Sequence, residues 1–64
     1  MNPERIKELE SLATEYNSLI AQAKEAYEIW NRDAVLDAQH KMAKNVIRRM
    51  DIDLEILKES LGVA

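Results

Sequence analysis

Cysteine is absent from this chain, and glycine and proline occur once each. Without cysteine there is no disulfide and none of the usual zinc-ligand sets, so a small domain must find its stability elsewhere. One glycine and one proline exclude a glycine-rich phosphate loop and leave few points at which a helix would stop. An excess of basic charge is missing too. Nine Lys and Arg against twelve Asp and Glu give a net charge of −3, whereas a protein that coats nucleic acid or anionic lipid carries a basic excess. No apolar run approaches the roughly 18 residues of a bilayer-spanning helix, and the acidic start Met1-Asn2-Pro3-Glu4 is unlike a secretory signal. The expectation is a soluble cytoplasmic protein without a membrane partner.

What is present is helix-bundle composition: 64 residues, 47% apolar and 33% charged. Two apolar ladders with steps of three and four run along it. Ile6, Leu9, Ala13, Tyr16, Ile20, Ala23, Tyr27 and Trp30 form the first; Leu36, His40, Ala43, Ile47, Met50, Leu54, Leu57 and Leu61 form the second. They are out of phase by one residue at Asn31-Arg32-Asp33, and continuing the first would bury Asp37, Lys41 and Lys44. The spacing therefore predicts an all-α, two-helix antiparallel hairpin in one domain, with helix one over residues 3–29, a turn at 30–33 and helix two over 34–61. Asn2 is a good N-cap before Pro3 and Glu4. The turn is less clearly marked: either Asn31 caps helix one in a left-handed conformation or Asp33 starts helix two. Gly62 suits the end of helix two. Pairing residues whose numbers total about 64 sets small against large, as with Ile20 and Ala43 or Ala13 and Met50. The alternative is a single long helix with a one-residue skip.

A hairpin this short cannot hide both apolar faces alone, and association is the route left to it. Helix two carries the broader apolar arc, about 160° wide. Its surplus is the expected dimer seam, made of Val35, Leu36, Met42, Val46, Arg49, Met50, Asp53 and Ile56, which would close two hairpins into a four-helix bundle. A buried Arg49 in that seam would need Asp53 of the other copy. The shape resembles the plasmid-encoded Rop hairpin dimer, a resemblance of architecture that carries no function across.

Candidate chemistry is thin. His40, the single histidine, follows Asp37 by three residues, which echoes the carboxylate-histidine spacing of metal sites in bundles. Glu25 and Glu28 point away in this register, so the plainer reading is a core-edge histidine, with no metal and no cofactor. Ser11, Ser18, Ser60 and Thr14 have no base paired with them, so no catalytic residue and no enzyme is expected. Lys41, Lys44 and Arg48 share an outward face of helix two and are the candidate nucleic-acid or acidic-partner face, with Arg49 nearby. An ordinary solvated face is the plainer account. Ile52 falls outside both ladders; with Ile56 and Val63 it forms a candidate apolar patch for another protein. The function expected is thus a non-enzymatic adaptor, inhibitor or assembly factor acting through protein contacts as a homodimer, of the kind common among bacterial and phage accessory proteins. The alternative is a nucleic-acid-binding regulator.

Overall fold

The computed structural model describes residues 2–62, and among them there are two α-helices and no strand: α1, Pro3–Glu28, and α2, Arg32–Ser60. They pack antiparallel as a hairpin. At the start of α1 the Asn2 Oδ1 accepts a hydrogen bond from the Glu4 backbone N–H at 3.0 Å. Pro3 follows at the first helical position, where its missing N–H costs nothing.

The turn is built on a residue that sequence pattern assigns to the core. The Trp30 N–H donates to the Tyr27 carbonyl at 3.1 Å and the Asn31 N–H to the Ala26 carbonyl at 2.9 Å, the two bonds of a Schellman motif. The residue between them must be left-handed, and Trp30 takes that conformation with φ 57°. Asn31 instead caps α2, its Oδ1 accepting from the Ala34 N–H at 3.1 Å. The reversal is therefore shorter and earlier than residues 30–33. At the far end Gly62 is also left-handed, with φ 70°.

Between the helices lies one seam. α1 contributes Leu9, Leu12, Tyr16, Leu19, Ala23 and Ala26; α2 contributes Val35, Ala38, Met42, Asn45, Arg49, Ile52 and Ile56. Leu19, Ala26, Ala38, Asn45 and Ile52 are its most deeply buried members. Ala23, Ala26, Ala34 and Ala38 line the end next to the turn, where a tight reversal forces the two backbones together and only small side chains fit. Cross-helix bonds fix the register: Asn45 to Leu12, Arg48 to Glu8 and Arg5 to Glu55, whose numbers total 57, 56 and 60. Those totals fall short of 64 by four to eight residues, a displacement of about one to two helical turns.

The rotation of both helices also differs from the ladder reading. Leu9, Tyr16 and Ala23 belong to the seam as expected, but Ile6, Ala13, Ile20, Tyr27 and Trp30 face solvent, and Leu12, Leu19 and Ala26 take the inner positions. On α2 the exchange is complete. Leu36, His40, Ala43, Ile47, Met50, Leu54, Leu57 and Leu61 are all exposed, while Ile52 has no exposed surface at all. The correction has a physical cause. A chain with two apolar stripes on one helix can turn only one of them inward, and the short turn together with the alanines beside it favours the stripe that begins at Val35 and Ala38.

Candidate interaction face

The hairpin measures 49 × 16 × 11 Å, a single layer of helices. Whatever the seam does not cover therefore faces outward. At 100° per residue, the outer ladder of α2 is centred roughly 135° from the seam, on the far side of the helix. Its large members Leu36, Ile47, Met50, Leu54, Leu57 and Leu61 are each at least half exposed. A second, narrower stripe, Ile6, Ala13, Ile20 and Tyr27, repeats every seven residues along α1, roughly 75° from the seam. It runs along the edge opposite the Glu8–Arg48 pair, next to Val46.

Trp30 projects from the turn and is 89% exposed. With Tyr27, Asn31, Arg32, Val35 and Leu36 it lines a largely apolar hollow of about 280 Å³. An exposed large aromatic held in a strained backbone conformation is a marker of contact surface rather than of core.

Of the expected dimer residues, the structure brings Val35, Met42, Arg49 and Ile56 against α1 within the same chain and leaves Leu36, Val46, Met50 and Asp53 outside. The two described members of the expected apolar patch are not exposed either. Ile52 is fully buried and Ile56 half-buried in the seam, and Val63 lies outside the described residues. Arg49 sits half-buried at the seam, whereas Asp53, the acid expected to meet it, is exposed.

Four charged groups on α2, Asp37, Lys41, Arg48 and Glu55, are paired within the hairpin. Arg48 makes a two-pronged bond to the Glu8 carboxylate, with Nη2 at 3.0 Å from Oε1. Arg5 adds to it, and these bonds hold the Glu8 carboxyl below the usual carboxylate range and push the Arg48 guanidinium up. Lys41 reaches back one turn to Asp37, with Nζ 3.0 Å from Oδ2. Among the described residues no three His, Cys, Asp or Glu side chains gather in a metal-holding group. Lys44 lies on the same flank of α2 as Asp37 and is exposed.

Buried Asn45 is the polar residue that sequence reasoning passed over. Its Nδ2 donates to the Leu12 carbonyl at 2.9 Å and to Glu15 at 3.1 Å, while its Oδ1 has no partner. The seven-residue spacing Ala38, Asn45, Ile52 was the available signal, and it was hidden by the stronger outer ladder. No helix among the described residues is long and apolar enough to cross a membrane. No protein-family model, no curated protein and no solved structure matches the chain.

Proposed function

We propose that this is a small non-enzymatic helical protein that works through protein contacts as a homodimer, in the manner of an adaptor, inhibitor or assembly factor. The observation that carries the reading is the outer ladder of α2: an unbroken three-and-four repeat from Leu36 to Leu61, exposed along its whole length on a helix whose other side is already packed. Leaving it in water costs about 25 cal/mol per Å² of apolar surface. A patch of this extent on so small a molecule marks an interaction site.

The identity of the occupant follows from pattern. A ladder with heptad steps packs best against another helix with the same repeat, and each copy of α2 supplies one. The six large members each expose about 100 Å², so a pair would bury about 1,200 Å² before flanking residues are counted, within the range of specific interfaces. Because seam and outer ladder lie on opposite sides of α2, the four helices would stand nearly in a row with the two α2 helices in the middle. The α1 stripe and Trp30 would then remain open to a different protein. Binding of nucleic acid through Lys41 and Arg48 is the weaker reading, since both cations already have carboxylate partners.

Ile47→Asp combined with Leu54→Asp tests the reading. Both positions lie outside the seam, so the hairpin should keep its helicity while sedimentation equilibrium shows self-association weakened by at least a hundredfold, on the order of 3 kcal/mol. A mass unchanged by the double substitution would remove the outer ladder from the interface.

A further inference from the structure

Resting on the homodimer reading, we infer that the two α2 helices pair antiparallel in one specific register, set by a row of alternating charges along one flank of the outer ladder. That row is Asp37, Lys44, Asp51 and Lys58, seven residues apart, all exposed and all one position after a ladder residue. The opposite flank is Gln39, Val46, Asp53 and Ser60.

Consider two α2 helices crossing with a two-fold axis between Ile47 and Met50. Leu36 then meets the second copy's Leu61, His40 meets Leu57, Ala43 meets Leu54 and Ile47 meets Met50. The one alanine falls opposite a leucine, as close packing requires, and every rung is occupied. In an antiparallel helix pair, flanking residues of the same heptad position face each other across the seam. Asp37 therefore meets the second copy's Lys58, and Lys44 meets Asp51. Two-fold symmetry repeats both, giving four opposite-charge contacts. Asp37 already draws Lys41 to its Oδ2 within its own helix, and its side chain remains 63% exposed for a second cation.

Slipping the pair by one heptad destroys this pattern in either direction. One slip sets Lys44 against Lys58 and Asp51 against its own symmetry mate; the other sets Asp37 against Asp51 and Lys44 against its own mate. Each slip also strands two of the rungs at the ladder's ends. Apolar residues alone would tolerate a sliding ladder, so the alternating signs act as the register mark. A parallel pair would stack His40 on His40 and Ala43 on Ala43, leaving a bulky polar rung beside an underfilled one. In the antiparallel register the second copy's Leu61 comes to Leu36, at the edge of the hollow formed with Tyr27 and Trp30.

Charge exchange across the pair tests the register. Lys44→Glu and Asp51→Lys, each alone, place like charges opposite at two symmetric points and should weaken the dimer about tenfold. Combined in one chain they should restore the wild-type dissociation constant to within about threefold. The two positions are seven residues apart on one helix, too far for direct contact within a chain, so rescue reports the contact between copies. A dimer that Lys44→Glu tightens, or that the double exchange fails to rescue, overturns this register while leaving the dimer in place. A wild-type monomer at micromolar concentration would instead remove the homodimer reading itself. Cysteine cross-linking gives an independent check. Leu36→Cys protein mixed with Leu61→Cys protein should oxidise to a covalent heterodimer, and Leu36→Cys alone should not link. Efficient linking of Leu36→Cys to itself would show a parallel pair.

Discussion

Trp30 occupies the position at which most helices that end in this way place glycine. A side chain there costs about 1–2 kcal/mol, because Cβ crowds the following carbonyl. Trp30→Gly should therefore raise hairpin stability by about 1 kcal/mol in chemical denaturation; a loss of stability would show that the indole contributes packing to the turn. Asn45 presents the complementary situation, a polar side chain in the seam with one buried acceptor unpaired. Asn45→Leu should stabilise the hairpin by about 1–2 kcal/mol, as replacing buried polar groups with apolar ones often does, and should loosen the register that the bond to Leu12 fixes. Glu8 is the carboxylate through which the hairpin is expected to respond to acid. Its carboxyl titrates below the ordinary value of 4.5, chiefly because Arg48 donates to it. The folded state thus favours the charged form, and the stabilisation is present above pH 4.5 and lost as pH falls through the lower, folded-state value. Glu8→Gln should flatten that part of the acid unfolding curve, whereas an unchanged curve would assign the acid sensitivity to other carboxylates.

At the scale of the elements, most of the hairpin was legible from residue order. The cap at Asn2, the phase break near Asn31 and the two long amphipathic segments follow from local rules, although α2 begins at Arg32, two residues before those rules place it. Which side of each helix faces the other did not follow. Counting large apolar residues favours Leu36, Ile47, Met50, Leu54, Leu57 and Leu61 on α2, but the seam is chosen by fit at the turn, where Ala26 and Ala38 allow close approach, and by polar bonds such as Asn45 to Leu12. Such choices depend on a shared geometry that neither helix carries alone. The same blind spot concealed Ile52, which interrupts the outer ladder in sequence yet sits at the centre of the inner one. Ile52→Ala should accordingly cost about 2–4 kcal/mol of hairpin stability; an effect below about 1 kcal/mol would place Ile52 at the surface.

For the whole molecule, the consequence of one thin layer of two helices is that the richer apolar stripe stays outside. A polar-tinged inner seam holding Asn45, Arg49 and the Arg5, Glu8, Arg48 and Glu55 cluster marks where the two halves of one chain meet, and the plainer outer ladder is suited to a surface that must be recognised by another molecule. On the homodimer reading, this division separates the contacts that fold one chain from those that would join two. The small size sharpens the requirement, since a seam of this length supplies little stability beyond the entropy of ordering the chain. Sedimentation equilibrium of the unmodified protein across a wide concentration range tests this most directly. A species of twice 7.4 kDa that dissociates on dilution is expected; a folded 7.4 kDa particle at every concentration would contradict it.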